Sequence, residues 1–497
     1  EGEGGAEGVF NGTISSEAWD EYFGHVVRHP NIPFHPPPRC TPPPPPPDLG
    51  VITTSANKPT LDRTTWRPKG LLALDILEHK GAVNRIVVSE DQTFFATCSD
   101  DGTINIWDGQ KLDRATPSKR LKATYQASSR VGCLSMCSNT QSVVAGTISG
   151  AIHVFRIDAS PGTNGSTSLQ RISPVYVSRG KNSPIVEVAH YNHASSALHC
   201  FQSVVVSATA NGVVSAWDLR SQKEAWTTML PPHMGPLSSF LMDPSHNYLI
   251  LSTSRGVYSC HDARFNVPVK SWLHPSSASP HNSINRLFAY GATGGGRRGA
   301  GGGRPCFMSS VGCNELWVWD VESLTTRILF RMLPGTHGPL PSLRGTPLNN
   351  TPEEKTRLLN DAKNHLQYAK PSQFHSVRAA YRPPGCNFLL TGGTDKMVRY
   401  WNLDDASSSF VVCGLEEGAP RRSYASENDF ATIYQELPTS DCDASLSKYR
   451  NNMESPHRTT VSAPHKDAIL DIKTITTAEN NTFLLTCCRG GAVKVWK

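Results

Sequence analysis

No apolar run in this sequence approaches the ~18 residues that a membrane-crossing helix needs, so no helical span is expected. Paired Cys-x-x-Cys motifs are also missing. The 13 cysteines are odd in number and scattered through apparent strands (Cys98, Cys133, Cys260, Cys487), and neither Cys487-Cys488 nor Cys133-x-x-x-Cys137 has zinc-ligand spacing. Reduced, buried thiols in a cytosolic protein suit that pattern better than a disulfide framework. Asn-Gly-Thr at Asn11 and Asn-Gly-Ser at Asn164 match the glycosylation pattern, but no signal peptide is there to deliver them. A net charge of +6 is too small to argue for nucleic acid. Protein-kinase signatures are lacking (no Gly-rich loop before a Val-Ala-x-Lys strand, no His-Arg-Asp, no Asp-Phe-Gly), as is the Gly-x-Ser-x-Gly elbow of a hydrolase. No catalytic residue, cofactor or metal is therefore expected. Residue 1 is Glu rather than Met, and the chain reads as the C-terminal part of something longer.

What is present is a repeated hairpin. "TCSDDGTINIWD" closes on Trp107, "AGTISGAIHVFR" on Phe155, "SATANGVVSAWD" on Trp217 and "LSTSRGVYSCHD" on His261. "SSVGCNELWVWD" at Trp319, "TGGTDKMVRYWN" at Trp401 and "TCCRGGAVKVWK" at Trp496 bring the copies to seven. Each is a small-residue strand, a tight turn and an apolar strand, and recurrence at intervals upward of 40 residues is the mark of a β-propeller with four strands per blade. The first copy adds His79, 22 residues before Asp101, with Thr97 and Trp107. This set resembles the WD-repeat family, in which His, Ser/Thr, Asp and Trp form a buried hydrogen-bond chain. Asp101 then holds a turn, since a buried carboxylate must be fully paired, while Asp100 and Asp108 are read as solvated. Partial sets remain at Thr391, Asp395 and Trp401 and at His465, Thr486 and Trp496; His233 and His465 are candidate partners of the His79 type. The His slot before the sixth copy holds Gln373 or a displaced His375, so Asp395→Ala is expected to cost less than Asp101→Ala. The incomplete blades should rely on strand pairing and apolar packing.

The expected fold is all-β: a seven-bladed WD-repeat β-propeller at 67–497, preceded by a short helix and a Pro-rich linker. Residues 1–30 carry Trp19, Tyr22, Phe23 and Val26 at helical spacing, the terminal helix of a preceding helical region. Residues 31–66 form the linker, stiff and polyproline-like. Because the seventh hairpin ends beside Trp496, Leu71 to Ile76 should supply that blade's fourth strand and remove an open edge. Three insertions interrupt the propeller, at about 291–304, 331–372 and 414–463. The first is a glycine-rich loop in which Arg297-Arg298 partly matches a phosphoinositide-binding motif, though such a loop is too flexible to preorganise a headgroup site. The second contains a helix with Thr351 as N-cap and Pro352 at its first position, and an apolar stripe including Leu358, Leu359 and Leu366 that could meet a partner. The third reads as a mobile polar loop.

"WRPKGLLALDILEHKGAVNRIVVSEDQTFFATCSDDGTINIWD", "VVSAWDLRSQKEAW", "DARFNVPVKSWLHPS" and "GGAVKVWK" together resemble the WD-repeat propeller of the regulatory subunit of class III phosphatidylinositol 3-kinase, a vacuolar protein sorting adaptor. The resemblance implies a parent with protein-kinase-like and HEAT-type regions upstream. It implies a non-catalytic scaffold that assembles the lipid kinase's catalytic subunit with Beclin-type coiled-coil subunits, for autophagy and endosomal sorting. It also implies a cytoplasmic location, with endosomal and autophagic membranes reached only through the complex. An alternative is a substrate receptor of a cullin–RING ubiquitin ligase, because Asp-x-Arg recurs in successive blades and would present Arg220 and Arg264 to the adaptor.

Overall fold

In the computed structural model the chain divides into two units, Glu1–Pro59 and Thr60–Lys497. The described residues all lie in the second. They are 66–497, apart from 111, 113–120, 138–141, 162–166, 179–182, 196–199, 244–245, 276–282, 291–304, 313, 334–341, 350, 359, 361–374, 416–421, 429 and 439–464. The helix and linker expected before residue 66, and Arg297, Arg298, Leu359, Leu366 and Gln373, fall outside them.

Seven sheets follow one another along the chain and form the blades of a propeller. Blade 1 runs Val83–Val88, Phe94–Ser99, Thr103–Asp108 and Leu121–Gln126. Blades 2 to 6 begin with the strands Val131–Met136, Ile185–Ser195, Leu237–Met242, Ile284–Ala289 and Val377–Tyr381. Blade 7 consists of Ile469–Thr476, Thr482–Cys488, Val493–Trp496 and Leu72–Ile76. The hairpin turns repeat one geometry. Gly102 N–H donates to Ser99 O at 3.2 Å, and the same bond recurs at Gly150, Gly212, Gly256, Lys396 and Gly491. Gly102 sits at φ +82° in the left-handed region, where a side chain is strained.

Second strands such as Phe94–Ser99 and Phe388–Gly393 are buried along their whole length, because each blade is covered on both faces by its neighbours. The core is correspondingly divided into seven apolar wedges, one per blade interface. Trp107, for example, packs with Leu485 and Val495 of blade 7, whereas Phe94 and Ile106 face Val131 and Phe155 of blade 2. The innermost strand of every blade carries a register shift after its first residue, as between Val83 and Arg85, Ile284 and Arg286, and Val377 and Ala379. A bulge kinks the strand where it enters the crowded axis and re-aims the next side chains.

Closure occurs as the sequence implied. Leu72–Ile76 runs antiparallel to Val493–Trp496, pairing Leu72 with Trp496 and Ile76 with Val493. Backbone bonds from Lys69 N–H to Lys497 O (2.7 Å) and from Lys497 N–H to Leu71 O (2.8 Å) extend the seam. Hydrogen exchange checks this: the amides of 72–76 should be protected to the same degree as those of 493–496, whereas a detached strand would exchange fast.

The third insertion departs from the loop expected of it. Arg422–Asn428 and Thr432–Pro438 form a hairpin, and the second strand pairs in parallel with Thr325–Arg331, enlarging blade 5 to six strands. Its polar composition misled because a charged residue, Glu436, is buried beside Ile433 and Tyr434 and is satisfied by Arg399 and Arg422. The second insertion adds Thr346–Pro347 to the edge of blade 4 and one turn-capped helix over 352–358. Thr351 Oγ1 accepts from Glu354 N–H at 3.3 Å while Glu354 Oε2 accepts from Thr351 N–H at 3.3 Å, a reciprocal capping box.

Candidate functional site

Blade 1 orders its polar groups in a single direction. Trp107 Nε1–H donates to Thr97 Oγ1 at 2.8 Å, and that hydroxyl lies 2.8 Å from His79 Nε2. A hydroxyl that accepts from the indole donates onward, so Nε2 is the acceptor and Nδ1 bears the proton. Nδ1 in turn lies 3.0 Å from Thr103 Oγ1 and 3.3 Å from Asp101 Oδ2. The Thr103 hydroxyl donates to Asp101 Oδ1 at 2.6 Å, and the amides of Lys80 and Thr103 donate to the same carboxylate at 2.8 Å each. Burial lowers the His79 pKa against the opposing pull of Asp101, leaving a neutral ring. Burial would raise the Asp101 pKa, but the bonds from Thr103 and Lys80 hold it below its usual value. Thr103 is the fifth member, unnoticed in the sequence because its position is outside the four-residue pattern.

Asp101→Ala should cost about 2–4 kcal/mol, by stranding amides and the imidazole. In urea unfolding, Asp101→Ala/His79→Ala should cost less than the sum of the single changes. Added Ca²⁺, Mg²⁺ or Zn²⁺ should leave the melting temperature unchanged. Fully additive costs, or a metal-dependent rise lost in Asp101→Ala, would contradict the shared network.

Other blades keep parts of this arrangement and replace the rest. In blade 7, Trp496 Nε1–H donates to Thr486 Oγ1 at 2.8 Å, and that hydroxyl lies 2.7 Å from His465 Nε2. In blade 6, Trp401 donates to Thr391 at 2.9 Å, but Met332 Sδ, not His375, receives the hydroxyl at 3.7 Å. In blade 5, Trp319 donates to Ser309 at 3.1 Å and Tyr258 of blade 4 donates to it at 2.7 Å. The indole–hydroxyl bond therefore persists in the partial sets of blades 6 and 7 and also in blade 5, where strand pairing and apolar packing were expected to carry the blade. His233 does not serve as a His79-type partner: its Nε2 has no hydrogen-bond partner, and its carbonyl accepts from Arg255 at 3.1 Å.

Two carboxylates are placed differently from the sequence reading. Asp108 is 4% exposed rather than solvated, and it accepts from Gln110 N–H at 2.9 Å. Asp218, Asp262 and Asp320 accept from the amide two residues on at 2.9–3.0 Å. The acid that follows the closing tryptophan, or His261 in blade 4, is thus an Asx cap of the outer turn. Asp395 binds Arg399 Nη1 at 2.6 Å instead of a histidine. Both side chains are buried, so Asp395→Ala should cost more than Asp101→Ala, reversing the expectation above.

Along the axis, the residues just after the bulges form a ring. Arg85 Nη2 lies 3.3 Å from Glu187 Oε2, Arg286 Nε lies 3.7 Å from the same oxygen, and Arg286 Nη1 lies 3.2 Å from Asp471 Oδ1. Asp471 also accepts from Ile86 N–H at 3.0 Å. Burial would raise the Asp471 pKa, but Arg286, Lys473 and Arg85 hold it low, so it stays ionised. Ion pairs of this kind join blades 1, 3, 5 and 7 across the centre.

On the propeller's periphery, Arg264 Nη2 is bound to its own Asp262 at 2.7 Å, while Arg220 is exposed. Leu358 is buried. A cavity of about 210 Å³ between blades 6 and 7 is lined by Trp66, Tyr381, Phe388, Pro383, Cys386 and threonines, with no carboxylate, imidazole or amine in its lining. The chemistry on view is hydrogen bonding that ties strands together and charge that ties blades together.

Comparison with known proteins agrees with this architecture. The WD domain, G-beta repeat family matches residues 73–108, the stretch that holds the complete network. The chain is 28% identical to the probable serine/threonine-protein kinase vps15 of Dictyostelium discoideum, over 88% of this chain and 27% of that protein. It is also 28% identical to the serine/threonine-protein kinase VPS15 of Arabidopsis thaliana, over 88% of this chain and 30% of that protein. Against the putative serine/threonine-protein kinase VPS15 of Komagataella pastoris the identity is 24%, over 88% and 31%. The chain therefore spans under a third of the length of these relatives. It is a propeller and not a kinase domain. Fold, repeat and relatives converge: the chain is a seven-bladed WD-repeat propeller related to the VPS15-type serine/threonine-protein kinases.

Proposed function

We propose that this propeller is a non-catalytic scaffold of a class III phosphatidylinositol 3-kinase regulatory subunit, holding the lipid kinase's catalytic subunit together with Beclin-type coiled-coil subunits. The observation that carries the reading is the match to VPS15-type kinases along 88% of a chain whose described residues form a propeller. Two structural features support a docking role. The polar groups of its blade networks are spent on internal ties, and its outer strands and turns expose apolar residues, among them Val175, Val177, Met229, Phe265 and Val267. No helix among the described residues is long and apolar enough to cross a membrane. Endosomal and autophagic membranes would then be reached from the cytoplasm through the complex.

A pull-down of the tagged chain from cells tests this. Recovery of a lipid kinase with a coiled-coil subunit is the expected result. Recovery of a cullin adaptor, lost in Arg220→Ala, would favour the ligase-receptor alternative; Arg264 is a poor contact for it because Asp262 already holds its guanidinium.

A further inference from the structure

On the innermost strands of the axis, four basic residues stand against two acids. Arg85, Arg286, Arg378 and Lys473 lie on the innermost strands of blades 1, 5, 6 and 7, and Glu187 and Asp471 are the acids of the ring described above. Lys473 rests its ammonium 4.7 Å from the centre of the Tyr381 ring. Arg378 lies three residues before Tyr381, at the bulge of the same strand, and Asn285 occupies the matching bulge of the adjacent blade. Arg378 has no carboxylate partner among the described residues; its Nε donates to Ser376 Oγ at 3.0 Å. Burial lowers its pKa, and the charges of Arg489 and Arg85 lower it further. Arg489 is exposed on the hairpin turn of blade 7. Asp467 on the adjoining loop accepts from the amide of Ala468 at 2.6 Å and makes no ion pair with Arg489.

The unmatched polar atoms at this place share one character. Arg85 Nε, Asn285 Nδ2 and Arg286 Nε are buried without a hydrogen-bond partner, and all three are donors. Asn84, the bulge residue of blade 1, shows the contrast: its Nδ2 is satisfied by Asp100 Oδ1 and Val131 O at 2.8 Å each. The Arg85 and Arg286 guanidiniums are paired with Glu187 and Asp471 through their other nitrogens, so Arg378, which has no such carboxylate among the described residues, and the orphaned Asn285 Nδ2 are what is left to receive a group that brings oxygens and negative charge.

We propose that the mouth of the propeller axis, bounded by Arg378, Arg489 and Asn285 above the Arg85–Arg286 ring, binds a phosphate-class oxyanion of a small molecule. Arg378 and Arg489 supply the charge, and Asn285 supplies a neutral donor that fixes orientation. The site is independent of the scaffold reading and survives if that reading fails.

Isothermal titration of the full chain with inorganic pyrophosphate tests the proposal. Saturable binding is expected, weakened about tenfold or more by Arg378→Gln and by Arg489→Gln, and unchanged by Arg156→Gln, an exposed residue on blade 2. Arg489 is exposed, so its substitution keeps the fold and remains informative if Arg378→Gln does not. Two further arms separate the sources: a soluble inositol polyphosphate, and vesicles containing phosphatidylinositol phosphates. Binding to either that falls in both arginine variants supports the oxyanion site and names its source. No pyrophosphate binding, binding indifferent to both substitutions, or capture of a phosphopeptide alone would overturn it.

Discussion

Acidification from pH 7 to pH 5 is expected to remove roughly 6–8 kcal/mol of stability from this propeller. Four buried imidazoles carry the effect. Burial pushes His274 and His465 down to about 3 and His190 and His261 down to about 4. His246 adds to the shift at His190, and Lys494 at His465. Their surroundings suit a neutral ring: His465 and His190 lie 2.7 Å from the hydroxyls of Thr486 and Ser203, His261 lies 3.0 Å from Ser259 Oγ, and His274 stands edge-on to Trp317 with ring centres 4.5 Å apart. Unfolded, each titrates near its ordinary value of 6.5. Between the folded and unfolded values the unfolded chain binds more protons, so stability rises with pH there and is lost as pH falls below about 6.5. At pH 5 each group contributes about 2 kcal/mol of destabilisation, and the total rivals the 5–15 kcal/mol that typically holds a native domain together. Melting curves at pH 7.5, 6 and 5 should show a progressive fall, with about three to four protons taken up on unfolding at pH 5. A melting temperature constant across that range would refute the account.

Glu436→Ala should be the most damaging single change in the inserted hairpin, at about 3–5 kcal/mol. The Glu436 side chain has no exposure, and it lies 2.9 Å from Arg399 Nε and 3.1 Å from Arg422 Nη1. Tyr424 OH donates to it at 3.0 Å and Leu333 N–H at 2.9 Å. Burial works against the charge of Arg399, yet Asp395 and Glu436 raise its pKa on balance, so it is a buried cation whose cost is offset by two carboxylates. Removing one of them leaves Asp395 alone to neutralise it, and frees Arg422, Tyr424 and an amide at once. Glu436→Gln keeps the shape and two acceptor directions and should cost less. The loss should be local first, with the amides of 422–438 exchanging before the rest of the propeller. Denaturation that places Glu436→Ala within 1 kcal/mol of the parent would show that the cluster is better hydrated than its burial indicates.

How much of this was legible in the sequence depends on the range of the interaction. Asp101 and Thr97 could be read beside Trp107 because a hairpin brings them together across a fixed local spacing. The helix cap at Thr351 was legible for the same reason. Thr103 was missed although it is local, since it replaces no member of the repeat but adds one. Tyr258 and Met332 were not legible, because they enter the next blade's network from the preceding blade and take a histidine's place there. Composition made 414–463 look like a loop, and only the arrival of Arg399 from blade 6 makes a strand containing a buried glutamate tolerable.

The sequence by itself determined the number of blades, the turn in each hairpin and the joining of Leu72–Ile76 to Val493–Trp496. Those follow from alternation, turn chemistry and the need to leave no open edge, all of which act between near neighbours or act on every blade alike. The tertiary structure alone decided what meets on the axis. Arg85, Glu187, Arg286, Arg378 and Asp471 are spread along most of the chain, and no spacing relates them. They converge because each follows or occupies a bulge in an innermost strand, and seven such strands share one centre. Charge that is unremarkable along the chain thereby becomes concentrated where water is scarce, which is the condition under which it acquires structural and binding consequences.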